Sequence, residues 1–157
     1  MYKVSSQKRS NCSKRMDNKR KTMRIIPEYP PIYEDIINAG MQPHSGTVYT
    51  YGDTIYNPGR VEIPEYLMIH EEVHSKQQGA DPDGWWIRYL IDQYFRVDQE
   101  GEAYAKQYDF MCKKIKDRNQ RNRLLIDIAK ILASPVYGSC VTTSGAMEII
   151  RKKSKTK

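Results

Sequence analysis

The segment between Pro64 and Gly79, "EYLMIHEEVHSKQQ", constrains this chain more than any other. No breaker interrupts it, Pro64 suits the first turn of a helix, Glu65 sits where the helix dipole favours an acid, and Gly79 supplies the stop. Leu67, His70, His74 and Gln78 fall on one helical stripe, flanked by Tyr66, Ile69 and Val73. Two of the chain's three histidines therefore face inward, one turn apart, with Glu71 beside the first.

That spacing has a chemical meaning. Residues i and i+4 share a helix face, so two imidazole nitrogens can reach one ion while the adjacent Glu flanks a bound water. A catalytic zinc site needs three protein ligands and one open position. His70 and His74 supply two ligands. The competing reading is a helix whose histidines are satisfied by core hydrogen bonds, and it loses weight because two of three histidines occupy the motif.

The third ligand has two sources. His44 is the remaining histidine, upstream in a loop flanked by Pro and Gly. The stronger source is "RVDQEGEAYAKQYDFMC", where a helical reading from Asp98 to about Lys116 places Val97, Glu100, Tyr104, Tyr108, Met111 and Ile115 on one inward stripe. Glu102, Lys106, Asp109 and Lys113 form the opposite, solvated stripe. Glu100 is then a buried carboxylate, which requires a partner, and a metal ion is a good one.

The rest of the chain predicts a single domain, α+β, mostly helical, with a small β-hairpin beside the "HEEVH" helix. At 157 residues there is room for one core. Prolines 27–31 impose an extended lead-in, and "PIYEDIINAG" offers a short helix closed by Gly40. Val48–Thr50 and Thr54–Tyr56 flank a Gly52-Asp53 turn, which reads as a hairpin. "ADPDGWW" reads as a turn, "WWIRYLIDQYF" as a short buried helix, Asn119–Ala133 as another, and Ser144 as the cap of a last helix from Gly145 to about Lys152. Trp85 and Trp86 read as core cover rather than a substrate platform.

Charge and cysteine content exclude other classes. The net charge is +7, yet residues 1–24 hold nine Lys/Arg against one acid, and "RKKSKTK" at 151–157 holds five more. Residues 25–150 keep 12 basic and 18 acidic residues, a net of −6. Residues 1–24 thus read as a basic tail without a core: a solvated tail, an arm for an anionic partner, or an upstream extension. Residues 151–157 read as a second basic tail. The acidic body between them argues against nucleic acid as the partner. Three scattered cysteines, Cys12, Cys112 and Cys140, exclude a disulfide framework and a cysteine zinc knuckle. The chain has neither a membrane-span run nor a charged-then-apolar start, so the expectation is a cytoplasmic protein.

With HExxH and the later inward Glu in hand, the chain resembles the gluzincins, zinc metallopeptidases whose third ligand is a Glu on a later helix. It is also similar, in "IYNPG", "HEEVHSKQQG", "EGEAY" and "SPVYG", to small metallopeptidase-like proteins of bacteriophages. The resemblance spans about Ile55 to Ile150 and implies a minimal zincin-like fold, with Zn²⁺ held by His70, His74 and Glu100. It implies that Glu71 acts as the general base, and that a peptide or protein is the substrate. Some gluzincins carry ExxxD at the third ligand, and Tyr104 stands here where that Asp would be. Tyr104 and Arg96 are then the candidate donors to a developing oxyanion, Gln78 either buttresses His74 or caps its helix, and the "TVYTY" strand offers an edge to an extended substrate. The alternative is a zinc-containing phage structural or host-interaction protein without turnover, and Glu71 argues against it.

Overall fold

The computed structural model describes residues 23–156. The expected basic tail lies outside these residues, apart from its last two: Met23 is buried and Arg24 opens the first strand. In chain order the elements are β1 (Arg24–Ile26), α1 (Tyr33–Asn38), β2 (Tyr49–Tyr51), β3 (Thr54–Tyr56), α2 (Glu65–Gln78), α3 (Pro82–Ile91), α4 (Gln93–Cys112), α5 (Arg118–Leu132) and α6 (Thr143–Lys153). A 3-10 turn at Pro135–Tyr137 joins the last two helices. The domain is α+β, mostly helical with one small sheet.

The β2–β3 hairpin forms where the sequence places it. Tyr51 pairs with Thr54 across a two-residue turn, and Gly52 takes the positive φ of +62° that such a turn favours at its first central position. The sheet has a third strand that the sequence reading misses: β1 runs parallel to β3, Ile25 opposite Ile55, in the order β1-β3-β2. Three residues carry no readable alternation, and parallel pairing is non-local. The strand β2 is left at the edge, against α2.

The helices follow their caps. Asp81 accepts from Gly84 N with Pro82 at the first position, so α3 begins inside the expected turn. Asp92 then accepts from Tyr94 N and Phe95 N, ending α3 and starting α4 at once. The long helix therefore opens at Gln93, not Asp98: a cap inside an apolar run divides it into two helices. Thr142, rather than Ser144, caps α6 through Gly145 N.

The central element is α4, packed against α2, α3, α5 and α6. Its buried surface wraps further than one stripe, taking in Arg96, Gly101, Ala105 and Cys112 as well as Glu100, Tyr104 and Tyr108. One apolar cluster, which includes Leu125, Leu132 and Ile150, fills the space between α4, α5 and α6. A second, which includes Ile36, Tyr49, Trp85 and Trp86, fills the space between α1, the sheet and α3. The α2–α4 contact lies between the two.

The expected C-terminal tail is part of the fold as far as it is described. Helix α6 runs to Lys153, and the Asp109 carboxylate, expected to be solvated, accepts from Ser154 Oγ, Lys155 N and Thr156 N. No helix of the described residues is long and apolar enough to cross a membrane.

Candidate metal centre

Helices α2 and α4 bring His70, His74 and Glu100 together, all buried. His70 Nε2 lies 3.0 Å from His74 Nε2 and 3.2 Å from Glu100 Oε2, and His74 Nε2 lies 3.4 Å from Glu100 Oε1. Atoms held at ~2.0–2.1 Å around one tetrahedral ion are separated by about 3.3 Å, so these spacings fit a single metal ion. Two imidazole nitrogens facing each other across a carboxylate are a donor set that could hold a metal ion. Glu100 Oε2 has no hydrogen-bond partner among the described residues, a buried anionic oxygen free to ligate.

The electrostatics agree. Burial disfavours a charge on His74, but the Glu100 carboxylate, by charge and hydrogen bond, with help from Glu71, outweighs it and pushes the imidazolium up to about 9. Burial likewise opposes the Glu100 charge. The His74 charge and the close approach of both imidazoles reverse that and hold the carboxyl well below its usual range. The protein groups alone thus keep one cation and one anion in contact in the dry interior.

Two groups that support the cluster were missed by sequence reasoning or misassigned. Tyr89 OH donates to Glu100 Oε1 at 2.6 Å; in the sequence it is one more aromatic residue in "WWIRYLIDQYF". Gln77, not Gln78, supports His74: His74 Nδ1 donates to Gln77 Oε1 at 2.9 Å, which leaves Nε2 facing Glu100. Gln77 Nε2 is itself held by the Gln99 carbonyl and Glu102 of α4. Gln78 turns the other way and mimics a strand partner, donating to Thr50 O and accepting from Gly52 N. The one-residue difference rotates the amide from the α4 side of the helix to its sheet side.

Glu71 is buried against β2, where Thr50 Oγ1 donates to its Oε2 at 2.7 Å. His70, Glu71, His74 and Glu100 share a cavity of about 80 Å³, lined also by Met41, Tyr49, Trp85, Trp86 and Tyr137. The tryptophans are buried core and also line this cavity, Trp85 with its ring 5.6 Å from that of His74. The Thr50 carbonyl at the edge of β2 is already taken by Gln78 Nε2 and Trp86 Nε1. Substrate pairing along that edge cannot use it.

No protein-family model matches the chain, and no curated protein or solved structure is significantly similar to it. The donor set and its surroundings carry the reading alone.

Of the two candidate oxyanion donors, Arg96 is spent elsewhere. Its guanidinium donates to the carbonyls of Tyr89, Leu90 and Tyr137. Tyr104 stacks edge-on against His70, and its hydroxyl lies 2.8 Å from that of Tyr137. Tyr137, on the 3-10 turn, is the member of that pair that lines the cavity. His44 stays in its exposed loop, accepting from Gly46 N, and takes no part in the cluster.

Proposed function

We propose that the chain is a zinc-dependent metallopeptidase-type hydrolase that cleaves a peptide bond with an activated water. One observation supports this best: a buried His₂Glu ligand set and a separate buried carboxylate, Glu71, face the same cavity. A purely structural metal site needs the ligands alone. His70, His74 and Glu100 are the residues that hold the ion, and the chemistry supplied there by Zn²⁺, the metal this donor set suits, is Lewis acidity and a water of pKa about 7.

The chain's own groups do the rest. Glu71, kept in place by Thr50, accepts the proton of the attacking water and passes it to the leaving amine. The Tyr104–Tyr137 pair presents a hydroxyl donor to the carbonyl oxygen, Tyr137 at the cavity wall and Tyr104 behind it. Tyr89 and Gln77 fix the ligands, and the aromatic walls keep the site dry. The substrate is a peptide or protein.

The test is peptidase activity of the zinc-loaded protein on casein and on a mixed fluorogenic peptide library, with Glu71→Gln as the control. The expected result is cleavage that falls at least 100-fold in Glu71→Gln at unchanged zinc content. Equal activity in both, or none in either, overturns the reading.

A further inference from the structure

Four buried side-chain atoms among the described residues lack a hydrogen-bond partner: His70 Nδ1, Glu100 Oε2, Gln107 Oε1 and Ser134 Oγ. Buried polar atoms are rarely left unpaired, so each needs a reason. Glu100 Oε2 faces His70 Nε2 and belongs to the ligand set. Two of the others lie on the α2–α4 helix pair and are of complementary kind. With His70 Nε2 on a cation, its Nδ1 carries the proton and must donate, whereas an amide oxygen can only accept.

Their positions match as well. Helices α2 and α4 run antiparallel: Gln77 reaches Gln99 and Glu102, His74 and His70 meet Glu100, and the His70 ring packs on Tyr104. Two helical turns after Glu100, and therefore on the same face of α4, stands Gln107, which is 6% exposed. The Tyr104 ring packs on His70 while its hydroxyl meets Tyr137, and no hydrogen bond joins it to His70 Nδ1.

We infer that Gln107 is the positioning residue for His70: when a metal takes His70 Nε2, the Nδ1–H donates to Gln107 Oε1. The two atoms are not bonded as they stand, and metal binding, which fixes the tautomer, draws them together. Each metal imidazole is then steered by a glutamine, His74 by Gln77 from its own helix and His70 by Gln107 from the facing one. This rests on the metal-site reading but not on peptidase activity.

The experiment measures zinc affinity by competition with a chromophoric chelator for wild type, Gln107→Met and Gln107→Glu. In parallel, NMR of the zinc-loaded wild type detects the His70 Hδ1 proton. The expected result is a 10–100-fold weaker affinity in Gln107→Met, affinity within a few-fold of wild type in Gln107→Glu, and a nuclear Overhauser contact from His70 Hδ1 to the Gln107 side chain. Zinc binding by wild type with Gln107→Met within twofold of it, or a His70 Hδ1 proton with no contact to Gln107, overturns the assignment alone. A wild type that binds no zinc overturns the metal site and this assignment together. The NMR contact needs no variant, so a misfolded Gln107→Met does not leave the question open.

Discussion

The Thr50 hydroxyl donates to the Glu71 carboxylate across the gap between the edge strand and the helix, 2.7 Å, with both side chains buried. That bond ties the chemistry to the smallest element of the fold. Strand β2 has three residues, and it is fixed to α2 by Gln78 on one side of Thr50 and by Glu71 through the Thr50 side chain. One carboxylate oxygen is thereby anchored, and the orientation of the other follows.

Thr50→Val, nearly the same shape, removes the donor and leaves a buried carboxylate short of a partner. A hydrogen bond to a charged group contributes about 1.5–3 kcal/mol, so kcat is expected to fall roughly 10- to 100-fold with zinc content unchanged. Thr50→Ser keeps the hydroxyl and most of the rate. Steady-state kinetics beside metal analysis read both outcomes; an active Thr50→Val would mean that Glu71 is oriented by something else.

Zinc binding should release protons. With the His74 imidazolium pushed up to about 9 by Glu100, His74 carries a proton at pH 7 that the metal must displace. Apparent affinity is expected to rise about tenfold per pH unit up to about pH 9 and level off above it. Calorimetry in buffers of different ionisation enthalpy counts the proton. No release at pH 7 would mean that His74 is already neutral there.

The same ion pair governs the chelated protein. The raised His74 contributes stability that is complete below its ordinary 6.5 and lost as pH rises through about 9. The lowered Glu100 contributes stability present above its ordinary 4.5 and lost as pH falls toward its folded value. Urea midpoints with excess chelator are therefore expected to be highest from about pH 4.5 to 6.5 and to decline toward pH 9. A midpoint that rises across that upper range contradicts the pairing.

Arg96 acts as a staple rather than a catalyst. Its guanidinium spans the carbonyls of Tyr89 and Leu90 at the end of α3 and of Tyr137 in the 3-10 turn, and so holds two cavity residues in place. Arg96→Leu strands those carbonyls, and a loss of about 3 kcal/mol is expected, with Arg96→Lys failing to restore it for want of the planar fork. Thermal unfolding of the three proteins checks this.

Asp109 pins the C-terminus. Burial opposes its charge, but Ser154 and the amides of Lys155 and Thr156 hold its carboxyl below the ordinary range. Asp109→Ala is expected to speed hydrogen exchange at the Lys155 and Thr156 amides by at least tenfold and to leave zinc binding intact. Unchanged exchange would show that the segment is held by other contacts.

The sequence makes the His70–His74–Glu100 cluster legible because helical periodicity is local. His70, Glu71 and His74 declare themselves by i, i+4 spacing, and Glu100 by an acid on an otherwise inward stripe. The groups that tune them are not legible, because they act across elements. Tyr89 reaches Glu100 from another helix, Thr50 reaches Glu71 from a strand, and nothing in "TVYTY" marks the middle residue. Gln77 and Gln78 are adjacent and alike, and only the placement of α4 and the sheet separates their roles. Strand β1 escaped for a similar reason: its partner lies some thirty residues away.

Metal content tests the central claim most directly, measured by elemental analysis on purified wild type beside His74→Ala, Glu100→Ala and Glu102→Ala. About one zinc per chain in wild type and Glu102→Ala, and little in the other two, is the result this account predicts from three convergent ligands. A wild type that takes up no zinc on reconstitution, or a Glu100→Ala that keeps it, contradicts the account.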